Sequence, residues 1–122
     1  MAEWSSRYPY THNNVNLYVP TSGGVYRLIY KKGEEYYVFY VGQSDDLQRR
    51  LDEHLSYSEP NECIKRCLQN FNCFFRFIEI ALQFERDRVE EEEIEKHNPP
   101  CNKWYLDELS KKHKELQGGF SH

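Results

Sequence analysis

Three segments of the chain have the residue pattern of β-strands. β-Branched and aromatic residues dominate positions 25–32 and 36–41, and Lys32-Gly33-Glu34 between them supplies a turn. Positions 73–80 form a third apolar run, which alternates only in part and is too short for a buried helix. The pattern therefore predicts an antiparallel hairpin, followed later in the chain by a third strand.

Four other segments carry apolar residues at the three- and four-residue spacing of helices. Leu47, Leu51 and Leu55 share one face of the first helix, which Asp45 or Asp46 can cap. Proline is expected to open the second helix and to close the third, because it fits a first turn but cannot continue a helix. The predicted helices begin at positions 47, 60, 85 and 104; the second ends near 70 or 72, the third at 97 and the fourth near 116.

The polar and aromatic residues 1–22 are predicted to form an extended arm with a short strand at 15–19. The order of the elements predicts a single α+β domain, in which a small three-stranded antiparallel sheet is flanked by helices. We place the arm at 1–22 and the domain at 23–102. Residues 103–122 are expected to form a C-terminal helix and tail that pack on the same domain.

The charge of the chain is unevenly distributed. Its 122 residues include 16 Lys and Arg against 20 Asp and Glu, a net charge of −4. Positions 85–96 hold seven acidic and three basic residues, so this segment accounts for the whole excess. The net acidity therefore does not exclude a nucleic-acid partner. A cytoplasmic protein is predicted, because the sequence shows neither a run of about 18 apolar residues nor a signal-peptide pattern.

Four cysteines lie at positions 63, 67, 73 and 101. Their spacing differs from the paired C-x-x-C of structural zinc sites, and a cytoplasmic protein keeps its thiols reduced. We therefore predict free thiols in the core or on the surface, rather than disulfides or metal ligands.

Two short motifs lie at the ends of the predicted hairpin. Gly24-Val25-Tyr26 begins the first strand, and Tyr40-Val41-Gly42 ends the second. Together with the residues that follow, they resemble the GIY-YIG nuclease superfamily over positions 24–102. The other positions that carry the resemblance are Arg50 and His54 in the first helix, and Glu90, Ile94, Pro99 and Asn102. The spacing from glutamate to asparagine is most similar to that of the N-terminal nuclease domain of excinuclease C, which implies a role in DNA repair.

Helix geometry distinguishes the two adjacent arginines of the first helix. Each residue advances about 100° around the axis, so Arg50 lies about 60° from the stripe that begins at Leu47. His54 follows on the same flank, whereas Arg49 lies about 160° away and is expected to face solvent. Arg50 is also the position that the family motif indicates.

The same geometry reduces the four consecutive glutamates of the acidic helix to two candidates. If Val89 and Ile94 mark the buried direction, Glu90 and Glu93 lie within about 30° of it. Glu91 and Glu92 point about 130° away. The family spacing selects Glu90, and Glu93 remains a possible second acidic group near the site.

The resemblance implies a divalent-metal-dependent endonuclease that hydrolyses DNA phosphodiester bonds. Glu90 would bind Mg²⁺ or Mn²⁺, because a hard cation prefers oxygen ligands. Arg50 would bind the scissile phosphate, and Tyr40 would hydrogen-bond the phosphate or the attacking water. Gly42 would allow the backbone to approach closely, and Asn102 would fix the site or the loop after the helix.

The residue that activates water is left open between Tyr26 and His54. The family implicates Tyr26, but a free phenol with a pKa of about 10 is a poor base at neutral pH. The role therefore requires ionisation by Arg50 or the metal, or assistance from His54. The alternative function is a catalytically weak module that kept the fold and binds nucleic acid or protein. In either case a protein partner is expected to supply targeting.

Overall fold

The computed structural model describes residues 2–103. Its elements are, in chain order, β1 (Tyr8–Pro9), α1 (His12–Tyr18), β2 (Gly24–Lys32), β3 (Glu35–Ser44), α2 (Leu47–His54), α3 (Glu62–Asn70), β4 (Asn72–Glu79) and α4 (Gln83–His97). Residues 100–103 are helical. The predicted helix at 104–116 and the tail lie outside the described residues. Within them, no helix is both long and apolar enough to cross a membrane.

The sheet in the described part of the chain has four antiparallel strands in the order β1-β4-β2-β3. The predicted hairpin is confirmed as β2 and β3, and the predicted third strand as β4. The prediction of three strands was wrong, because Tyr8 and Pro9 pair with Phe75 and Phe74 at the free edge of β4. A two-residue strand has too few positions to show alternation in the sequence.

The N-terminal segment also differs from the predicted extended arm. Residues 15–19, predicted as a strand, belong mostly to helix α1. The Thr11 side chain caps this helix by accepting a hydrogen bond from the Asn14 N–H at 3.1 Å. Val15 and Val19 lie four residues apart and both enter the core, with exposures of 0% and 3%. A helical turn buries both side chains on one face, which explains why the segment is not a strand.

The main core lies between one face of the sheet and helices α1, α2 and α3. Tyr26, Leu28 and Phe75 point from the sheet toward Leu47 and Leu51 of α2, and all are almost fully buried. Helix α4 packs mainly on β3 and also contacts β2. It meets the opposite face of the sheet, because it pairs with Arg27, the neighbour of Tyr26. Strand β3 therefore forms an edge with helices on both sides.

The helix boundaries follow their caps. Asp46 caps α2 by accepting a hydrogen bond from the Arg49 N–H at 3.0 Å, as predicted. Helix α3 begins at Glu62, two residues later than the predicted start at Pro60, because Asn61 is its N-cap and accepts from the Ile64 N–H. Helix α4 begins two residues earlier than predicted and ends at His97, where Asn98 adopts a left-handed conformation.

The cysteines correct another prediction, because Cys63 and Cys101 form a disulfide. Their Cα atoms are 5.2 Å apart although 38 residues separate them in sequence. The first turn of α3 packs against the segment after α4, a contact that local spacing cannot reveal. Within residues 2–103, Cys67 and Cys73 are free thiols.

Candidate active site

A β-bulge sets the direction of Tyr40. Tyr37 and Phe39 both contact Tyr30 on the core face of the sheet, so strict alternation would send Tyr40 to the other face. The register between β2 and β3 shifts between Leu28 and the next residue, so that Tyr40 pairs with Leu28. A bulge of this kind re-aims a side chain at the edge of a sheet. It returns Tyr40 to the face that carries Tyr26.

Tyr26 is buried beneath the backbone of the neighbouring strand at Gly42. A Cβ atom at Gly42 would lie 2.3 Å from the Tyr26 hydroxyl oxygen and 2.4 Å from its ring carbon. Gly42 therefore makes room for the phenol. This contact gives the glycine of the second motif a structural purpose inside the protein, whereas the sequence suggested a close approach to substrate.

The Tyr26 hydroxyl lies 2.6 Å from Nε2 of His54, at the end of helix α2. The Nδ1 atom of the same imidazole lies 2.9 Å from a carboxylate oxygen of Glu59. Both side chains of the His54 and Glu59 pair are almost inaccessible, with exposures of 0% and 2%. The three residues form a continuous hydrogen-bonded chain of phenol, imidazole and carboxylate.

Burial sets the protonation of this chain. It raises the pKa of Tyr26 well above the ordinary value, and the opposing effect of the Arg50 charge is smaller. Burial also lowers the pKa of His54, although the hydrogen bond with Glu59 opposes this change. At neutral pH Tyr26 is therefore a neutral phenol beside a neutral imidazole. Arg50 does not ionise Tyr26, so the proton of the phenol requires another acceptor.

A cavity of about 480 Å³ opens beside this chain. Its walls include Tyr40, Arg50, Glu59, Glu90, Ile94 and Asn102. Tyr26 and His54 lie behind this wall, and their rings are 6.2 Å and 5.4 Å from the ring of Tyr40. The cavity thus brings together the guanidinium of Arg50, two carboxylates and a phenol. The Tyr26 and His54 pair lies directly beside it.

The two adjacent arginines of α2 take the directions that helix geometry predicts. Arg50 is partly buried and lines the cavity. Arg49 is exposed and forms a surface ion pair with Asp45, with the charged atoms 3.0 Å apart. Only Arg50 can therefore reach a group bound in the cavity.

Glu90 extends from α4 into the same cavity. The Gln43 side-chain amide donates to it across 3.2 Å and also to Asp87, one turn earlier, across 2.5 Å. Burial raises the pKa of Glu90, an effect that the hydrogen bond from Gln43 opposes and the Asp87 charge reinforces. Glu91 and Glu92 are exposed, as the helical phase predicts.

Glu93 is buried, as predicted, but it lies outside the site. It forms an ion pair with Arg27 on the far face of the sheet, and its second oxygen lies 2.9 Å from Nε2 of His97. The Arg27 guanidinium in turn stacks on Trp4, 3.8 Å from the ring centroid. Glu93 is thus neutralised by structural partners and is not a second acidic group of the cavity.

Asn102 pairs with the free edge of β3, the last strand of the sheet. Its side-chain oxygen accepts from the Val41 N–H and its amide donates to the Val41 carbonyl, both at 2.8 Å. The side chain therefore pairs with the backbone as a neighbouring strand would. This arrangement holds the segment after α4 against the motif that contains Tyr40.

Comparisons with known proteins agree with this geometry. The family model described as the GIY-YIG catalytic domain matches residues 22–105, more than half of the chain. The chain belongs to the GIY-YIG family. Among curated proteins, none matches the sequence significantly.

Solved structures share the GIY-YIG fold. The N-terminal GIY-YIG endonuclease domain of UvrC from Thermotoga maritima, bound to its catalytic magnesium, is 24% identical, with a TM-score of 0.57. The match covers 73% of this chain and 91% of that domain. Two point mutants of the same domain, each bound to its catalytic divalent cation, are 22% identical with TM-scores of 0.56 and 0.57. These two matches cover 73% and 74% of this chain, and 90% and 92% of the mutant domains.

One residue of the site in this GIY-YIG domain, Glu59, was not identified from the sequence. It follows α2 by five residues and precedes Pro60, in a segment without periodicity. A carboxylate beside a helix-ending histidine is the only local signal, and charged residues at such positions are common. Its contact with His54 depends on the turn that Ser56 closes by accepting from the Glu59 N–H at 3.2 Å.

Proposed function

We propose that this GIY-YIG domain is a divalent-metal-dependent endonuclease that hydrolyses phosphodiester bonds in DNA. The observation that carries the proposal is the convergence of Tyr40, Arg50 and Glu90 on one cavity, beside the hydrogen-bonded pair of Tyr26 and His54. A domain that only bound a partner would not require this set. The match to the GIY-YIG catalytic-domain model supports nuclease chemistry. DNA as the substrate and a function in DNA repair belong to the proposal, as the resemblance of the sequence implies.

The chemistry of Glu90 fits a metal ligand. Its carboxylate faces the cavity, and among the described residues its hydrogen bond is the 3.2 Å contact from Gln43. A hard cation such as Mg²⁺ takes carboxylate oxygens and keeps several waters, so one protein carboxylate together with a substrate phosphate is a sufficient anchor. When bound, the cation would neutralise phosphate charge and lower the pKa of a coordinated water.

Arg50 provides the phosphate-binding group of the proposed mechanism. Its guanidinium is permanently charged and can donate two parallel hydrogen bonds to phosphate oxygens. The cavity wall also contains the carboxylates of Glu59 and Glu90, which would repel a phosphate. The positive charge of Arg50 offsets this repulsion. Tyr40 lies on the same wall, where its hydroxyl would hold the phosphate or the attacking water.

The Tyr26 and His54 pair provides the base. Because the pKa of Tyr26 is raised and that of His54 is lowered, the phenol begins protonated and the imidazole begins neutral. The phenol oxygen would accept a proton from the attacking water as its own proton passes to Nε2 of His54, 2.6 Å away. The imidazolium so formed is stabilised by the Glu59 carboxylate. In this relay Tyr26 and His54 activate the water together, so neither residue has to be chosen as the sole base.

A plasmid-nicking assay with purified protein tests the proposal. Wild-type protein should nick supercoiled DNA with Mg²⁺ or Mn²⁺ and should not do so with EDTA. Glu90→Gln should abolish nicking, since it removes the anionic ligand and keeps the shape of the side chain. Glu91→Gln is the matched control: it makes the same change at the exposed neighbouring position and should leave nicking unchanged.

Two results would contradict the proposal. If wild-type protein binds DNA but nicks none of several duplex and branched substrates with either metal, the alternative of a binding module is favoured. If Glu90→Gln cleaves at the wild-type rate, the assignment of the metal ligand is wrong.

A further inference from the structure

The contact between His54 and Glu59 determines more than the position of the imidazole ring. A neutral imidazole carries one proton, either on Nδ1 or on Nε2, and the partners of the ring decide which tautomer is present. In this site both nitrogens have a close oxygen partner, the carboxylate of Glu59 at 2.9 Å and the hydroxyl of Tyr26 at 2.6 Å. The protonation of Glu59 therefore controls the direction of both hydrogen bonds.

Glu59 is held as an ionised carboxylate. Burial alone would raise its pKa, but the hydrogen bonds from His54 and from the Asn61 N–H lower it, and the net change is downward. An ionised carboxylate has no proton to donate and can only accept. Nδ1 must then carry the proton of His54, and the lone pair of Nε2 must face the hydroxyl of Tyr26.

The orientation of the Glu59 carboxylate is also fixed. Its Oε1 atom accepts from the Asn61 N–H at 3.1 Å, which leaves Oε2 for His54. Pro60 follows Glu59 and restricts the backbone of the preceding residue to extended conformations. The carboxylate thus has two assigned partners, one for each oxygen.

We propose that Glu59 is a positioning residue that holds His54 in the tautomer protonated at Nδ1, so that Nε2 accepts the proton of Tyr26. The catalytic consequence rests on the proposed nuclease function, but the tautomer itself does not. Glu59 acts through His54 and needs no contact with the reacting atoms.

Substitution of Glu59 by glutamine makes the proposal testable, because the amide has one donating and one accepting end. The Asn61 N–H requires an acceptor, so the amide oxygen of Glu59→Gln should occupy the Oε1 position. The amide nitrogen then faces Nδ1 of His54 and can only donate to it. Nδ1 would become the acceptor, Nε2 would carry the proton, and the acceptor for Tyr26 would be lost.

The direct measurement is the tautomer of His54 in ¹⁵N-labelled protein, by correlation of the ring nitrogens with the ring carbon-bound protons. Wild-type protein should show a protonated Nδ1 and an unprotonated Nε2, and Glu59→Gln should show the reverse. Glu53→Gln is the matched control: Glu53 precedes His54 directly, is exposed and also influences its titration. It removes a nearby charge without touching the ring and should leave the tautomer unchanged.

The cleavage assay provides the second readout. The single-turnover rate of Glu59→Gln should fall by about 10³- to 10⁴-fold, the loss found when a catalytic histidine is held in the wrong tautomer. Glu53→Gln should cleave within about threefold of the wild-type rate, because exposed charges are well screened.

The outcomes separate the inference from the proposed function. A wild-type protein that is inactive but shows Nδ1–H on His54 refutes the nuclease assignment and supports the tautomer assignment. A protonated Nε2 in the neutral wild-type imidazole overturns the inference, even if Glu59→Gln does not fold. An unchanged tautomer in folded Glu59→Gln, or cleavage by that variant at the wild-type rate, also overturns it.

Discussion

Substitution of Glu93 by glutamine should destabilise the fold without removing the chemistry of the site. The Arg27 and Glu93 side chains are only 11% and 8% exposed. Removal of one partner from a buried ion pair leaves an uncompensated charge and typically costs about 3–5 kcal/mol. Glutamine keeps an oxygen that accepts from Arg27, so we expect the lower end, about 3 kcal/mol. For a domain of this size, that corresponds to a fall in Tm of roughly 12 °C.

Glu92 offers a control one residue away. It forms an i,i+4 ion pair with Arg88 at 2.9 Å, but these side chains are 62% and 60% exposed. Exposed pairs contribute about 0–1 kcal/mol, so Glu92→Gln should change Tm by only a few degrees. The two variants carry the same chemical change in the same helix and differ in burial.

The assay is thermal and urea unfolding, both followed by circular dichroism, with the single-turnover cleavage rate measured well below the Tm of each variant. Glu93→Gln should unfold at a lower urea concentration and still cleave, whereas Glu90→Gln should keep its stability and lose cleavage. Equal unfolding midpoints for Glu93→Gln and Glu92→Gln would refute the reasoning about burial. Loss of cleavage in a stable Glu93→Gln would instead place Glu93 in the site.

Three further predictions concern the site and its supports. Arg50→Ala should lower the single-turnover cleavage rate by about 10²-fold or more, because it removes a charge contact in the transition state. Arg49→Ala should lose at most some salt-dependent DNA affinity. Equal rate losses for the two variants at saturating DNA would refute the distinction. Gly42→Ala should cost about 1–3 kcal/mol and most of the cleavage activity, because the new methyl group meets the Tyr26 hydroxyl; wild-type melting and cleavage would show that the phenol is not confined there. Reduction of the Cys63–Cys101 disulfide, or Cys101→Ala, should lower the free energy of unfolding by up to about 4 kcal/mol, since it opens a loop with a sequence separation of 38. An unchanged urea midpoint with and without dithiothreitol would contradict this.

The side-chain directions that the sequence predicts correctly follow from local periodicity. The phase of α2 separates Arg50 from Arg49, and the phase of α4 separates Glu90 from Glu91, because 100° per residue holds wherever a helix forms. The motif around Tyr26 and Tyr40 adds the strand ends. These predictions need no knowledge of the path of the chain between elements.

The phase of a helix does not determine what a buried residue meets. Glu90 and Glu93 are both buried to some degree, as predicted, yet one faces the cavity and the other faces Arg27. The helix lies across the edge strand, so two neighbouring faces of it contact different surfaces. The docking of α4 on the sheet decides which of the two carboxylates faces the cavity.

By itself, then, the sequence determined the α+β class, the hairpin, the identity of the motif residues and the directions of side chains within single helices. Tertiary structure alone decided the contacts between distant or irregular segments. Asn102 reaches Val41 across 61 positions, Cys63 reaches Cys101 across 38, and Glu59 reaches His54 through an aperiodic turn. Periodicity is fixed by backbone geometry over a few residues, whereas these contacts depend on how whole elements pack, and no local pattern encodes that packing.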